Sequence, residues 1–224
     1  MIIGIISEGH SDRAVIVNIL SGMTGLTNES FIALLPQYKY DATDIAGGRN
    51  EIHGGWNAVK DECNKRIFID DFLMQDIDDE NFLVIHFDTA ESAQYPIGHI
   101  NKDGIYCSTM REQMIILIKE WLKEDLSDKI LHAIAIEETE AWMLSLNKIK
   151  NSWKSANPKR KLEFTLNYKT DKLEPSYDLY KKLSLGLKES YAVLKSNQFI
   201  IDDPSLNAFL DEIAEKVIPK LVNA

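Results

Sequence analysis

Residues Ile2–Asp12 read IIGIISEGHSD, and the rest of the chain is interpreted outward from them. A short apolar run closed by small and polar residues has the pattern of a strand buried on both faces, as in parallel sheets. The strand is expected over Met1–Ser7 and ends on Glu8 and Gly9. A Glu that precedes Gly, not a helix, gains nothing from a helix dipole, and the Gly admits a ligand or backbone at close range. Ser11 or Asp12 is placed to cap a helix that RAVIVNILSGM carries on to Gly25.

The same grammar repeats. Phe31–Leu35 is a second short strand. AGGRNEIHGGW reads as a glycine-rich loop entering a helix at about Asn57–Lys65, and IDDFLMQDIDDE as surface helix and loop. NFLVIHFD gives a strong strand over Phe82–Phe87, ending on Asp88. Met110–Lys123 is an amphipathic helix. ILHAIAIEETEAWML gives a strand over Leu131–Ile136 that runs into a helix with Glu137, Glu138 and Glu140 in its first turn. From about Lys148 the chain is polar with helical periodicity, and Asp203–Pro204 mark a helix start by N-cap and first-turn proline. Strands alternating with helices predict an α/β fold with a mostly parallel sheet. The expected organisation is a core over 1–145 with a helical C-terminal extension, 146–224, packed on it.

Composition bounds the function. With 224 residues, 45% hydrophobic and 27% charged, the chain has the make-up of a globular protein with a real core. No apolar run reaches the roughly 18 residues of a membrane span, and no signal peptide is expected. Cys63 and Cys107 fit no metal-ligand spacing, which points to a reducing, cytoplasmic setting. The five histidines form no HxH or HExxH arrangement, and His10 reads as filling a variable position. The net charge of -10 gives no overall attraction to phosphate backbones, so contact with nucleic acid needs a local basic patch, a metal ion or a partner. The best such patch is NPKRK, with Lys159, Arg160 and Lys161, near Lys148, Lys150 and Lys154. Arg49 in AGGRN is a second candidate phosphate contact. AGGRN lacks the GK[ST] of a P-loop and the GxGxxG of a dinucleotide fold.

In open parallel sheets functional groups gather at the carboxyl ends of the strands. The acidic clusters fall there: Glu8 and Asp12, Asp88 and Glu91, Glu138 and Glu140. A single such carboxylate is explained as a helix cap or a dipole partner. Six converging on one edge would repel one another unless a cation intervened, and hard oxygen donors indicate Mg²⁺ or Mn²⁺. Trp142 reads as a core residue.

In these residues the chain resembles TOPRIM domains. SEGHSD is similar to their first motif, a strand ending in Glu-Gly with an acid four residues after the Glu; LVIHFD is similar to their second acidic strand end. AIEETEAWML resembles the third motif of the OLD-family nuclease branch and of small stand-alone TOPRIM-like prokaryotic proteins, as does the DPSLNAFLDEI ending. The resemblance implies a Rossmann-like core and Mg²⁺- or Mn²⁺-dependent cleavage of DNA or RNA, with anti-phage defence as the expected setting. Glu8 and Asp12 would hold one metal, and Asp88 with Glu138 or Glu140 another. Glu8 is also the implied catalytic carboxylate. A downstream lysine is implied to steady developing charge, with Lys181 and Lys182 as candidates. OLD-type proteins join this domain to an ABC-class ATPase; the chain has no Walker A motif, so that partner would act in trans. Oligomeric state stays open, a homo-oligomer included.

The sequence departs from the pattern at DTAE. The usual Asp-x-Asp would place its second acid at Ala90, and Glu91 follows instead. That departure and the acidic charge favour a rival reading, a catalytically silent TOPRIM-fold binding or regulatory subunit. A third, a receiver-like phosphoacceptor using Asp88, leaves Glu8 and the third motif without a role.

Overall fold

The computed structural model of the chain describes residues 1–36, 54–75, 80–124, 126–150, 157–167 and 173–222. Strand β1 (Ile3–Ile6) leads through Gly9 into helix α1 (His10–Thr24), and β2 (Phe31–Leu35) follows. Helices α2 (Trp56–Lys65) and α3 (Ile67–Leu73) precede β3 (Phe82–Asp88), and α4 (Tyr106–Leu122) precedes β4 (Ile130–Ala135). The short α5 (Glu140–Leu144) comes next. The described remainder is helical: α6 (Pro158–Thr165), α7 (Tyr177–Leu183), α8 (Tyr191–Ser196), α9 (Gln198–Ile201), α10 (Pro204–Lys216) and α11 (Ile218–Val222).

The strands form one four-stranded sheet in the order β2-β1-β3-β4, and every neighbouring pair is parallel. Strand side chains alternate between the two faces. Ile3, Ile5, Phe82, Val84, Leu131 and Ala133 enter a core closed by α1, α7 and α10. Ile6, Leu83, Ile85, Phe87, Ile130 and Ile134 enter a second core closed by α2, α3 and α4. Strands β1, β3 and β4 are therefore buried on both faces, which is why they read as near-continuous apolar runs, while the edge strand β2 leaves Ile32 exposed. The arrangement is α/β, an all-parallel sheet flanked by helices, compatible with a Rossmann-like fold. Leu162, Tyr180, Leu206 and Phe209 from the C-terminal segment share the first core with Ile3 and Val84. That segment approaches α1 so closely that a Cβ on Gly22 would meet the Glu189 nitrogen at 2.2 Å.

Several boundaries differ from the sequence pattern for local reasons. β3 runs through Asp88, because that residue still pairs with Ala135. α4 starts at Tyr106, a turn before Met110, since Tyr106 and Cys107 are themselves buried. The helix after β4 does not begin at Glu137. Glu137 takes a left-handed conformation (φ 71), its N–H donates to the Thr89 hydroxyl (2.8 Å), and its carbonyl accepts the Ala90 N–H (2.8 Å). With both backbone groups committed to the end of β3, helix starts only at Glu140. Ser11 and Asp12 lie inside the first turn of α1, whose N-cap is Gly9. Asp203 caps α10, its Oδ1 accepting the N–H groups of Ser205 and Leu206 at 3.1 Å.

β4 is an edge strand, and α10 lies along it. Glu212 Oε2 accepts the backbone N–H of His132 (2.9 Å), and the Lys216 ammonium donates to the carbonyl of Ile130 (2.7 Å). The Glu212 carboxylate also meets His132 Nδ1 (2.8 Å), Arg111 (2.9 Å) and Lys216 (2.6 Å). Helix side chains thus occupy edge groups that another strand would otherwise take. Among the described residues, no helix is long and apolar enough to cross a membrane.

Candidate functional site

Chain direction sets the place of the site. β2 lies on one side of β1 and β3 on the other, so the sheet order reverses between β1 and β3. Parallel α/β sheets open a crevice at the carboxyl ends of the strands at such a switch. The register pairs Ile6 with Ile85, which brings Glu8 level with the end of β3, and Glu8 Oε1 accepts the Asp88 N–H at 2.8 Å. Asp12 comes from the first turn of α1 and folds back over Gly9, where a Cβ would meet Asp12 Oδ2 at 2.8 Å. A side chain at Gly9 would push the Asp12 carboxylate out of this position.

His86 is two residues before Asp88 on β3, so both side chains project to the same face. One donor atom from each of Asp12, His86 and Asp88 lies within 4.8 Å of the others. Thr139 joins the group: its hydroxyl donates to Asp88 Oδ1 (3.0 Å) and faces His86 Nε2 (3.0 Å). His86 Nε2 is 3.4 Å from the same Asp88 oxygen. Since the threonine proton points at Asp88, its lone pair accepts from the imidazole, and His86 holds the carboxylate from behind. His86 is fully buried, and its Nδ1 has no partner among the described residues.

Comparison with protein-family models, curated proteins and solved structures finds no match for this chain. The chemistry of the site itself therefore carries the functional argument.

Burial, and next to it the charge of Asp88, push the Glu8 carboxyl up to about 8. The same two causes push Asp12 up to about 6 and Glu140 up to about 7. Burial alone would lower the His86 imidazole, but the surrounding Asp88, Asp12 and Glu8 carboxylates outweigh it and push it up to about 9. Anionic groups that hold on to their protons, around one cationic ring, have the electrostatic signature of a cation site. The donor set fits one: carboxylate oxygens suit Mg²⁺ and Mn²⁺, and His86, on giving up its proton to a bound cation, would add a nitrogen donor that moves the preference toward Mn²⁺.

The remaining carboxylates divide. Glu140 is buried and accepts the Tyr180 hydroxyl, so α7 of the C-terminal segment contributes directly to the site. Glu138, raised mainly by burial, accepts the Lys159 N–H at 3.0 Å and ties α6 to the rim. Glu137 turns the other way, toward Lys102 and the Tyr106 hydroxyl (3.3 Å). Lys102 and Tyr106, with Ser92, His99 and Asn101, line part of a cavity of about 340 Å³. Glu91 is exposed and bonds Gln94 (3.2 Å), outside the Asp12–His86–Asp88 group, because the chain turns away at Thr89 and Ala90. Ala90 is exposed and offers no donor side chain.

The expected cations are also placed. Lys181 is half-buried with its ammonium 5.5 Å from the Tyr177 ring centroid, and Lys182 is exposed, both on the helix that carries Tyr180. Lys159 is half-buried and Arg160 and Lys161 are exposed on α6. Arg49 and Lys154 lie outside the described residues. Sequence reasoning missed His86, Thr139 and Tyr180. For His86 a signal existed, an HxD spacing at the end of a buried strand. Tyr180 is 40 residues from Glu140 and carries no local mark.

Proposed function

We propose that this chain is a divalent-cation-dependent nuclease of TOPRIM type, hydrolysing or nicking DNA or RNA. The observation that carries the reading is the convergence of Glu8, Asp12, His86 and Asp88, with Glu140 beside them, at the switch point of a parallel sheet. The order of the acidic strand ends along the sequence supports it. Asp12 and Asp88 would hold the ion, with His86 as third donor or, through Thr139, as the group that fixes Asp88. Glu140 would complete the acidic wall. A bound Mn²⁺ or Mg²⁺ supplies charge neutralisation at phosphate and acidifies a bound water. Glu8 uses Oε1 to accept the Asp88 N–H, which leaves Oε2 to take or return a proton near neutral pH. Tyr180 orients Glu140, and Lys181 is the nearest expected lysine to that tyrosine in sequence. An ABC-class ATPase acting in trans belongs to the same reading.

One observation favours a second reading. Exposed Ala90 stands where the second acid of the TOPRIM pattern would be, which suits a binding or regulatory subunit that keeps the fold without catalysis. The experiment is cleavage of plasmid and single-stranded substrates with Mn²⁺, for the unmodified chain, Glu8→Gln and Asp88→Asn, alone and with any co-encoded ATPase. Mn²⁺-dependent cutting that both substitutions abolish is expected. Cutting that survives both overturns the assignment. A Mn²⁺-stabilised protein that cuts under neither condition moves the conclusion to the binding subunit.

A further inference from the structure

Helix α6 presents two faces with different chemistry. Pro158 and Leu162, four residues apart, are buried. The Lys159 N–H on Glu138, and Glu163 accepting the Leu173 N–H (2.9 Å), tie the helix at two further points. Asn157 caps it by accepting the Arg160 N–H (2.9 Å). Its outer face therefore has a fixed position relative to the acidic rim. That face carries Arg160, Lys161 and Phe164. Arg160 and Phe164 are one helical turn apart, as are Lys161 and Phe164. The Phe164 side chain is 85% exposed, on a helix whose apolar face is already buried. It stands about 7.5 Å along the helix axis from Lys159, the residue bonded to Glu138. Among the described residues Arg160 makes no ion pair.

We infer that this face is a binding track for single-stranded nucleic acid, with Phe164 as the platform on which an unpaired base stacks and Arg160 and Lys161 as backbone contacts. The inference rests on the nuclease reading only in taking nucleic acid as the ligand. Its physical basis is selectivity. An exposed aromatic beside cations engages any base whose π-face is free, whereas the faces of duplex bases are already stacked. The charge balance acts in the same direction. A chain of net charge -10 has no broad field to draw in a duplex, so a small cationic helix must combine with stacking to hold a strand. The tie between Lys159 and Glu138 places the track beside the candidate metal site, so a strand held there runs past the acidic rim.

The test uses the full chain in EDTA, so that binding is read without cleavage. The probes are fluorescently labelled oligothymidylate and oligouridylate of about 4–16 nucleotides, the site size of single-strand grooves, and a blunt DNA duplex. Both strand types should bind, because stacking on a free π-face does not depend on the sugar. Phe164→Ala should weaken single-strand binding roughly 5- to 150-fold, the loss expected for one stacked base, with duplex binding unchanged. Phe164→Trp should retain binding, and its added fluorescence should be quenched by the single strand. Since Phe164 is on the surface, unchanged melting of both variants checks the fold. Single-strand binding indifferent to Phe164→Ala, or a preference for the duplex, overturns the inference. Phe164-dependent binding in a protein that never cuts with Mn²⁺ keeps the track and removes the nuclease. Mn²⁺-dependent cutting with no such dependence removes the track and keeps the nuclease.

Discussion

Replacing Glu8 by Gln should stabilise the protein in the absence of divalent cations. Glutamine keeps a carbonyl oxygen for the Asp88 N–H and removes the charge facing Asp88 and Asp12. An ordinary Glu has a carboxyl at 4.5, and the folded chain pushes this one up to about 8, chiefly by burial and secondly through Asp88. The sign follows from proton counting. Between those two values the folded state binds more protons than the unfolded state, so stability falls as pH rises through the window. At pH 7 the cost of Glu8 comes to about 3 kcal/mol as an upper bound, near zero below 4.5 and greatest above 8. For a chain of this size that corresponds to a gain in Tm of about 6–12 °C for the variant at pH 7. The assay is thermal melting in EDTA at pH 4, 7 and 9. With excess Mn²⁺ the order should reverse, because the unmodified site gains binding energy that the variant largely lacks. A Glu8→Gln protein no more stable than the parent at pH 9 in EDTA would refute the reading of Glu8 as a buried charge opposed by Asp88.

Three further outcomes are expected. Asp12→Asn and Asp88→Asn should each remove most of the Mn²⁺-induced rise in Tm while leaving the circular dichroism spectrum unchanged. His86→Phe and Thr139→Val should lower Mn²⁺ affinity by about 10- to 100-fold in calorimetry, as the loss of groups that orient a ligand does. At the sheet edge, burial alone would raise Glu212, but hydrogen bonds from His132 and Lys216 overcome it and hold the carboxyl at about 2. Its contribution, about 3 kcal/mol from that shift, is present above pH 4.5 and lost as pH falls through 2. Glu212→Gln should therefore melt lower than the parent at pH 7, with the gap closing toward pH 2.

The parallel sheet was legible because β1, β3 and β4 are buried on both faces, so each apolar run states its own length and the acid near its end marks where it stops. Phe82–Phe87, closed by Asp88, is the clearest case. Asp203–Pro204 was legible for a similar reason, since a cap is local chemistry. What escaped was set by contacts across the fold. The start of α5 depends on Thr89 and Ala90 holding Glu137, 48 residues from Thr89, and nothing in EETEAW announces that. Glu8, Asp12 and Asp88 were found because acids at strand ends stand out by charge. His86 was passed over because it was read as one of five scattered histidines, not as the same-face neighbour of Asp88. Tyr180 was invisible because a tyrosine in a helix carries no sign of the carboxylate it will meet.

The closing of β4 by Glu212 and Lys216 also has a consequence in time. Translation delivers β4 about 80 residues before the helix that covers it, a delay of about 4–16 s at ordinary synthesis rates. Through that interval the edge groups of Ile130 and His132 have neither Lys216 nor Glu212 to meet. A ribosome that pauses between residues 136 and 204 prolongs the exposure of a hydrophobic strand able to pair with a neighbouring nascent chain. Chaperone demand during synthesis should therefore track the arrival of α10, not the completion of the sheet.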